Sequence, residues 1–442
     1  MEKLIVTGGN PLKGTMKVSG AKNVALKALV AACLTSEAVI IENIPLISDF
    51  FVMVDIMKEL GAKVEILDHR VKVQVQKFKT HEIPLEKAAE ARTSCMFIAP
   101  LLVRMGEAII PNPGGCRLGA RPIDRMIEGM KALGAEITYH SEDGYFHATT
   151  VGLHGATYIF EKNTHIGTET LILGAVLSKG ITVLKNAAEE PEIDDLIGLL
   201  IQMGAKIKRT GKREITIEGV EKLHGTTYRI SQDRNEIVTF AIAALVTKGD
   251  IFIENAKKKD VLEFIDKLTA AKAGFEEKAD GLRFFYKEPL IAADVTTNIY
   301  PGFMTDWQAP WTVLMTQADG VSTVHETVFE NKFGYVRDLK KMGARIELFN
   351  PMVTDKSKVY NFNDEDDNQK YFHAIRVVGP KKLHNGVVST VDIRAGAAIV
   401  LAALAAKGTS TIFGVEKLDR GYENFAKRLH DLGADVKRVT EE

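Results

Sequence analysis

The sequence predicts an α/β (α+β) protein of two similar domains, each built from three repeated βα units with buried helices. Three observations lead to this prediction: a glycine phrase that recurs six times, one helix in each repeat that is apolar nearly all round, and the length of the chain. The chain has 442 residues, of which 45% are hydrophobic. A chain of this length ordinarily forms two or more domains, and this composition is sufficient for a large core in each.

The repeated phrase is typified by Leu-Gly-Ala followed by a short β-rich stretch. Its glycines are Gly61, Gly134, Gly204, Gly274, Gly343 and Gly433. They lie about 70 residues apart except for the last, and self-similarity at a fixed period indicates a repeated supersecondary unit. A second phrase, a strand that ends in asparagine, keeps the same interval at Asn43, Asn112, Asn186 and Asn255. The phrase glycine follows an amphipathic helix and is expected to cap its C-terminus.

Each repeat begins with a helix that is apolar on nearly every side. The predicted helices span residues 22–36, 92–105, 168–179, 235–248, 308–319 and 394–407. A helix without a polar face is buried in the core of a globular protein. These helices are therefore expected inside, with the amphipathic second helices of the repeats outside them.

The repeat count places the domain boundary in the middle of the chain. The first domain is expected over residues 21–231, and the second over residues 1–20 plus 232–442. The strand at residues 3–7 precedes the first repeat and is assigned to the C-terminal half. The long last interval contains a polar insert at residues 351–371, interpreted as a surface excursion with a disordered tip.

Composition excludes several classes of function. A formal net charge of -1 gives no general attraction to nucleic acid or to anionic membranes. Three cysteines (Cys33, Cys95 and Cys116) do not suit a disulfide framework, and they predict a reducing compartment. The N-terminal residues lack a signal-peptide pattern, and no apolar run reaches membrane-spanning length. We therefore expect a cytoplasmic protein with no membrane insertion and, in the absence of metal-type Cys/His spacing, no metal.

A glycine-rich loop carries the third cysteine. Residues 111–124 read P-N-P-G-G-C-R-L-G-A-R-P-I-D, with Cys116 flanked by Arg117 and Arg121. Neighbouring cations lower the pKa of a thiol. Pro122 is expected to open a helix over residues 122–133, and a helix start beside arginine favours anions. The alternative is a surface turn with an incidental free cysteine.

Cations recur at the predicted helix starts. They are Lys22, Arg92, Arg121, Arg234, Arg394 and Arg420. A cation at a helix N-terminus opposes the helix dipole, and burial adds a desolvation penalty, so a bound anion would offset both. The alternative is ion pairing with Asp124, Asp306, Asp392 or Asp419, or first turns that are exposed to solvent. For Asp306 itself, the two interpretations are a helix N-cap and a general base.

Spaced motifs along essentially the whole chain carry a family resemblance. They are S-G-A-K-N (19–23), P-G-G-C-R-L-G-A-R-P-I-D (113–124), N-A-A-E-E-P-E-I-D (186–194), D-R-N-E (233–236), T-D-W-Q-A (305–309), H-E-T-V-F-E-N (325–331), V-D-I-R-A (391–395) and D-R-G-Y-E (419–423). The chain thereby resembles the UDP-N-acetylglucosamine enolpyruvyl transferase (1-carboxyvinyltransferase) family. The resemblance implies two similar domains of three βα repeats, an inside-out α/β barrel of the enolpyruvyl transferase type.

The resemblance also implies an activity. Such enzymes transfer the enolpyruvyl group of phosphoenolpyruvate to the 3-hydroxyl of UDP-N-acetylglucosamine and release phosphate. This is the first committed step of peptidoglycan precursor synthesis, and so belongs to cell wall biogenesis, cell shape and cell division. The resemblance implies two small-molecule substrates, no cofactor, no nucleic acid and a cysteine sensitive to fosfomycin.

Site residues follow from the same resemblance. The implied catalytic residues are Cys116 (proton donor to the methylene carbon), Asp306 (acceptor of the hydroxyl proton), Lys22 and Arg394. The implied phosphoenolpyruvate contacts are Lys22, Asn23, Arg121, Lys332, Arg394 and Arg420. The implied nucleotide-sugar contacts are Arg92, Arg121, Pro122, Ile123, Asp124, Arg125, His165, Ile166, Asp306 and Val328.

This chain departs from the family pattern in three places. Lys332 stands where arginine is usual, and lysine keeps the charge but loses the planar fork that grips a carboxylate. Residues 163–167, N-T-H-I-G, differ from the usual nucleotide loop, and the insert at 351–371 is uncommon. The alternatives to this activity are the sister enzyme that makes enolpyruvylshikimate phosphate, a catalytically silent nucleotide-sugar-binding paralogue, and a repeat-built nucleic-acid clamp.

Overall fold

The computed structural model of the chain describes residues 2–112, 123–390 and 392–440. The predictions for Cys116, Arg121 and Pro122 therefore lie outside the described residues.

Strands make up the outer layer of each repeat. They are β1 (Glu2–Thr7), β2 (Lys13–Met16), β3 (Val39–Glu42), β4 (Lys63–Leu67), β5 (Arg70–Gln74), β6 (Glu107–Pro111), β7 (Glu136–His140), β8 (Tyr145–Thr149), β9 (Thr157–Ile159), β10 (Ile181–Lys185), β11 (Lys206–Gly211), β12 (Glu214–Glu218), β13 (Thr227–Arg229), β14 (Asp250–Glu254), β15 (Gly274–Lys278), β16 (Gly281–Phe285), β17 (Val295–Thr296), β18 (Gly320–His325), β19 (Arg345–Phe349), β20 (Ala374–Gly379), β21 (Val387–Ser389), β22 (Thr409–Phe413) and β23 (Asp435–Thr440).

Helices alternate with these strands. They are α1 (Lys22–Ala32), α2 (Ser48–Glu59), α3 (Leu85–Glu90), α4 (Ile98–Met105), α5 (Asp124–Ala132), α6 (His165–Ala175), α7 (Pro191–Gln202), α8 (Arg234–Val246), α9 (Leu262–Ala270), α10 (Gln308–Met315), α11 (Val336–Lys341), α12 (Lys356–Val359), α13 (Ile393–Ala405), α14 (Glu416–Asp419) and α15 (Phe425–Asp431). Short 3₁₀ helices lie at Arg92–Phe97, Lys258–Val261, Thr305–Trp307 and Asp364–Asp366. None of the helices in the described ranges is both long and apolar enough to cross a membrane.

The chain separates into two compact units, each with its own hydrophobic core. The chain passes from one unit to the other between Ser19 and Gly20, and returns between Gln232 and Asp233. We call the unit that begins at Gly20 the N-terminal unit. The other, which combines β1 and β2 with the chain from Asp233 onward, is the C-terminal unit.

Both units repeat one sheet topology. The C-terminal unit has the sheets β21-β22-β1-β23, β15-β16-β14-β2 and β17-β18-β20-β19, and the N-terminal unit has β11-β12-β10-β9, β13-β3-β5-β4 and β6-β8-β7. Each four-stranded sheet has one parallel pair at its edge, and its other pairs are antiparallel. In the three-stranded sheet, a single parallel bridge between Glu82 and Ile109 occupies the place of the parallel edge strand.

The first helix of each repeat is buried, as the sequence predicts. All 13 residues of α8 are buried, including its polar first turn. Helices α8, α10 and α13 pack against one another in the C-terminal unit, and α4 packs against α6 in the N-terminal unit. The strands alternate buried and exposed positions, as in the buried-exposed pattern of β10. The predicted fold class is confirmed: in each unit the helices lie inside and the sheets lie outside, and the described sheets are separate from one another.

One predicted helix is divided. The span 92–105 consists of a 3₁₀ turn over Arg92–Phe97 followed by α4. Pro100 lies near the start of α4, and its missing N–H removes an interior helical hydrogen bond that a continuous α-helix would need. The predicted helix at 122–133 is described from Asp124 onward as α5, and it ends at Ala132.

The glycine phrase marks the same kind of helix end in five of the six repeats, and the fourth repeat is the exception. In each of the five, the glycine that follows the helix has a positive φ, as Gly61 does (φ 101). The N–H of the next residue then donates to the carbonyl oxygen five residues earlier, as Ala62 does to Met57 O. In the fourth repeat Lys272 (φ 59) and Ala273 make these contacts. Assigning Gly274 to the cap was therefore wrong by two residues, since Gly274 begins β15.

The insert at 351–371 is ordered within the described chain, contrary to the disordered tip expected for it. Tyr360 and Phe362 are buried and stack at 4.8 Å, and the His373 ring lies 4.9 Å from Tyr360. His373 Nε2 also lies 3.1 Å from Asp367 Oδ1. Aromatic side chains that the polar composition obscured thus give the insert a small core of its own.

Candidate active site

Most of the described site residues lie at the starts of the helices. Lys22, Asn23 and His165 stand at the starts of α1 and α6, and Arg394 stands at the start of α13. The two units are described in turn, because each supplies its own set of charged side chains.

Arg394 is a buried cation of the C-terminal unit. It is 6% exposed, and its guanidinium lies 5.0 Å from the centre of the Tyr422 ring. Its Nη2 is 3.8 Å from Asp233 Oδ2, and its Nε is 3.6 Å from Asp306 Oδ2. The third nitrogen, Nη1, is buried and has no hydrogen-bond partner among the described residues.

The acids around Arg394 have separate local tasks. Asp233 caps α8, with its Oδ1 accepting from the N–H of Asn235 at 2.8 Å. Asp392 caps α13 in the same way, accepting from the N–H groups of Arg394 and Ala395 at 2.9 Å each. The carboxylates that lie within 4 Å of the Arg394 guanidinium are those of Asp233 and Asp306. The ion-pairing alternative is thus correct in part, since Asp306 is one of the partners that the sequence suggested.

Asp306 is not a helix cap, and this alternative was wrong. A 3₁₀ turn over Thr305–Trp307 precedes α10, and the capping position belongs to Trp307. The Asp306 side chain is 24% exposed and faces Arg394. The structure thus holds the Asp306 carboxylate beside the Arg394 guanidinium, with part of its surface accessible.

A buried carboxylate near Lys332 was missed by the sequence reasoning. Glu326 is fully buried, and its Oε1 accepts from the N–H groups of Val328 at 2.8 Å and Phe329 at 3.1 Å. Its Oε2 accepts from Thr305 Oγ1 at 2.9 Å. Burial raises the pKa of Glu326, and the nearby charge of Lys332 opposes that shift. Its signal in the sequence was the glutamate of H-E-T-V-F-E-N, six residues before Lys332.

Lys332 is buried in the same region and is 4% exposed. Its Nζ lies 5.3 Å from the centre of the Phe329 ring and has no hydrogen-bond partner among the described residues. An ammonium group has three donors. A buried donor without a partner lowers the stability of the folded state by about 1–3 kcal/mol, and by more when the donor is charged. Lys332 Nζ and Arg394 Nη1 are therefore both suited to receive an anionic ligand.

The remaining predicted residues of this unit lie on connecting segments. Arg420 directly follows α14 and is half-buried. Asp419, one of the partners suggested for helix-start cations, instead binds Arg438 at 2.8 Å and 2.6 Å. Val328 is half-buried and is held through its N–H by Glu326.

In the N-terminal unit, Lys22 forms an ion pair. Its Nζ lies 2.7 Å from Oδ2 of Asp49, and both side chains are at most 11% exposed. Asp49 stands in the first turn of α2, where an acid complements the helix dipole. The ion-pairing alternative was correct in kind for Lys22, although its partner is an aspartate that the sequence did not suggest.

The other predicted contacts of this unit also stand at element starts. Asn23 is half-buried beside Lys22 on α1, and Arg92, also half-buried, opens the 3₁₀ turn before α4. Ile123 is buried, Asp124 is exposed, and Arg125 is half-buried at the start of α5.

The altered segment at 163–167 begins α6. Thr164 caps the helix by accepting from Gly167 N at 3.2 Å, and Ile166 is half-buried. His165 Nδ1 lies 3.3 Å from Oε2 of Glu169. Burial alone would lower the pKa of His165, but the charge of Glu169 outweighs it and raises that pKa above 6.5.

Glu169 also pairs with Lys27 of α1, whose Nζ is 3.3 Å from the same oxygen. Sequence reasoning missed this triad of Lys27, Glu169 and His165. The available signal was a lysine in one largely apolar helix, V-A-L-K-A-L-V, and a glutamate in another, T-E-T-L-I-L. Opposite charges inside buried helices are stable only when they meet.

A family model described as EPSP synthase (3-phosphoshikimate 1-carboxyvinyltransferase) matches residues 6–429 of the chain. A relative from Koribacter versatilis is named UDP-N-acetylglucosamine 1-carboxyvinyltransferase. It is 40% identical over 445 aligned residues, covering 100% of this chain and 97% of that protein. A relative from Caldanaerobacter subterraneus subsp. tengcongensis, named UDP-N-acetylglucosamine 1-carboxyvinyltransferase 3, is 38% identical and is covered completely.

Solved structures support the fold. The enolpyruvyl transferase NikO from Streptomyces tendae has a TM-score of 0.86 at 24% identity, covering 100% of this chain and 99% of that one. EPSP synthase from Acinetobacter baumannii has a TM-score of 0.73 at 16% identity, with both chains covered completely.

Proposed function

This chain belongs to the EPSP synthase family of carboxyvinyltransferases, and on that premise we propose that it transfers the enolpyruvyl group of phosphoenolpyruvate to the 3-hydroxyl of UDP-N-acetylglucosamine and releases phosphate. The observation that carries this proposal is full-length similarity, at 38–40% identity, to relatives named for that nucleotide sugar. The reaction would begin peptidoglycan precursor synthesis in the cytoplasm.

The proposed chemistry moves protons through two side chains, Cys116 and Asp306. The Cys116 thiol donates a proton to the methylene carbon of phosphoenolpyruvate, which leaves an oxocarbenium-like centre on the neighbouring carbon. The 3-hydroxyl oxygen bonds to that centre while Asp306 accepts its proton. Phosphate then leaves with its bonding electron pair while a methyl proton returns to the Cys116 thiolate, which restores both the double bond and the thiol. A carboxylate positioned within reach of the hydroxyl supplies general base catalysis in the second step.

The proposed anion contacts divide between the two ends of phosphoenolpyruvate. Arg394 and Lys332 receive its carboxylate, and the support for this is the buried donor on each that lacks a partner among the described residues. Lys22, Arg121 and Arg420 receive its phosphate. Since Lys22 is already paired with Asp49 at 2.7 Å, its charge toward the phosphate would be reduced. Preorganised cations of this kind stabilise developing charge without reorganisation.

The proposed nucleotide-sugar contacts are those that the family resemblance implies. They are Arg92, Arg121, Pro122, Ile123, Asp124, Arg125, His165, Ile166, Asp306 and Val328. The support for His165 is its position at a helix start, where Glu169 raises its pKa and so favours a cationic ring facing an anion. We also propose that the two compact units are the two domains, with boundaries near residues 20 and 232.

A phosphate-release assay tests the proposal directly. Purified protein is given phosphoenolpyruvate with UDP-N-acetylglucosamine, and separately phosphoenolpyruvate with 3-phosphoshikimate. We expect phosphate release only with the nucleotide sugar. Release with 3-phosphoshikimate alone would assign the sister activity, and binding of nucleotide sugar without any release would assign the silent paralogue.

Two cysteine variants test the proton donor in the same assay. Cys116→Ser should abolish or gravely reduce turnover, because a hydroxyl is too weak an acid to replace the thiol. Cys33→Ala is the matched control, since burial raises the pKa of Cys33 to about 12 and leaves that thiol inert. Equal turnover of Cys116→Ser and wild type would remove Cys116 from the mechanism.

A further inference from the structure

An exposed hairpin of the N-terminal unit gathers three metal-ligating side chains. Strands β7 and β8 are joined by a turn over residues 141–144, and their register places Thr138 opposite His147 and His140 opposite Tyr145. Directly opposed residues share a face, so His140 and His147 are diagonal neighbours on one face of the sheet. The other face carries Ile137 and Ala148, which are buried in the core. The two histidines thus stand on the solvent side.

The third side chain comes from the turn. Asp143 Oδ2 lies 2.8 Å from His147 Nε2, and its Oδ1 accepts from the N–H of Tyr145 at 2.9 Å. The rings of His140 and His147 stack with centroids 4.1 Å apart and planes inclined by 17°. One ligating atom from each of the three residues can be chosen so that all lie within 4.8 Å of one another.

We propose that His140, Asp143 and His147 form a binding site for a divalent transition-metal ion of the Zn²⁺ class. Two imidazole nitrogens with one carboxylate oxygen suit zinc and its neighbours, whereas calcium and magnesium favour oxygen ligands throughout. Donor atoms around a tetrahedral ion with bonds of about 2.0–2.2 Å are separated by less than 4 Å, so small side-chain rotations would complete the site. Water would occupy the fourth position.

The backbone of the hairpin favours this use of the three residues. The Asp143 carboxylate is already positioned by the Tyr145 N–H, and the strand pairing fixes the separation of the two histidines. Ligands held before the ion arrives lose less conformational entropy on binding. A second histidine–carboxylate pair elsewhere on the surface, His224 Nδ1 with Glu37 Oε1 at 3.2 Å, offers two ligating groups instead of three. It therefore provides a natural comparison.

The site is separate from the proposed chemistry. None of the residues proposed for phosphoenolpyruvate or the nucleotide sugar belongs to the hairpin over residues 136–149. Exposure of His140 and Asp143 would allow the ion to exchange with solvent. Metal binding here can thus be measured without reference to turnover.

Isothermal titration with ZnCl₂, supported by Co²⁺ absorption, tests the proposal on the tag-free full chain. The Cys116→Ser background removes the competing reactive thiol. We expect one equivalent of Zn²⁺ to bind, and His140→Gln and His147→Gln each to weaken binding by at least about tenfold. Asp143→Asn should weaken it as well. The control His224→Gln should leave binding unchanged.

Two results would overturn the proposal. One is an absence of Zn²⁺ binding in the parent chain. The other is unchanged binding in the double variant His140→Gln/His147→Gln, which would place the ion elsewhere. All the substituted side chains are on an exposed hairpin, so a thermal unfolding curve for each variant verifies that the fold is retained.

Discussion

The two units share one architecture, but the buried cations named above are paired differently in each of them. In the N-terminal unit, Lys22 is matched by Asp49 at 2.7 Å, and Lys27 is matched by Glu169 at 3.3 Å. In the C-terminal unit, Arg394 has carboxylates at 3.6 and 3.8 Å, and its Nη1 has no hydrogen-bond partner in the described parts of the chain. Lys332 Nζ is likewise buried without a hydrogen-bond partner among the described residues.

This difference shows that, in two units of one architecture, some buried cations can stabilise the fold while others remain able to bind a ligand. A buried cation with a close acid adds structural specificity and has little remaining affinity for other anions. A buried cation that has longer contacts and lies against an aromatic ring keeps donors for a ligand. Until the ligand binds, these unpaired donors lower the stability of the folded protein. We therefore expect substitutions in the Lys27–Glu169 pair to act mainly on stability, and substitutions of Arg394 and Lys332 to act mainly on turnover.

The largest effect is expected from breaking the buried triad. Glu169→Leu leaves Lys27 as a buried charge without its acid, so the free energy of unfolding should fall by about 3–5 kcal/mol. Urea denaturation measures this loss. The double variant Lys27→Met/Glu169→Leu is the matched control and should recover most of the stability, because both charges are removed together. If Glu169→Leu is as stable as wild type, the triad has no structural role.

The next effect concerns Arg394. Arg394→Ala should reduce kcat/KM by about 30- to 5,000-fold, corresponding to about 2–5 kcal/mol for one partner of a buried charge pair. Steady-state phosphate release provides the measurement. Arg283→Ala is the control, because Arg283 forms its ion pairs with Asp250 and Glu276 on the surface. Comparable losses in both variants would mean that Arg394 acts through the fold and not through the substrate.

Lys332 should have a smaller effect than Arg394, because a point charge grips a carboxylate less firmly than a planar fork. Lys332→Ala is expected to raise the KM for phosphoenolpyruvate by about tenfold, or about 1.4 kcal/mol, with a lesser change in kcat. Lys332→Arg should be neutral or mildly improving. Should Lys332→Ala prove as inactive as Arg394→Ala, the lysine would be a full member of the carboxylate contact.

The smallest expected effect is on the free energy of unfolding and is tested at two helix ends. Lys272 takes a positive φ of 59° where other repeats have glycine. Lys272→Gly should raise the free energy of unfolding by about 0.5–1 kcal/mol, because only glycine adopts this conformation without strain. Gly204→Lys is the reverse control and should destabilise by a similar amount, since φ there is 104°. Denaturation curves in urea would measure both, and a stabilising Gly204→Lys would contradict the account.

Much of the fold could be predicted from sequence because it depends on local periodicity. The recurring Leu-Gly-Ala phrase encodes a helix followed by a left-handed cap, and both features are set by neighbouring residues. The apolar character of α8 and α13 likewise required burial wherever those helices lay. The exceptions were also local: Pro100 divided one helix, and Lys272 replaced a glycine that the alignment had placed two residues later.

The sequence by itself determined the repeats, the buried helices, the fold class and which residue types could carry the chemistry. Only the tertiary structure decided which charges meet. Lys27 and Glu169 are far apart in the chain, as are Asp233 and Arg394, and no local pattern specifies such pairs. The energy of a buried charge depends on partners within a few ångströms, so whether a cation is neutralised or available to a ligand is settled by packing between distant segments.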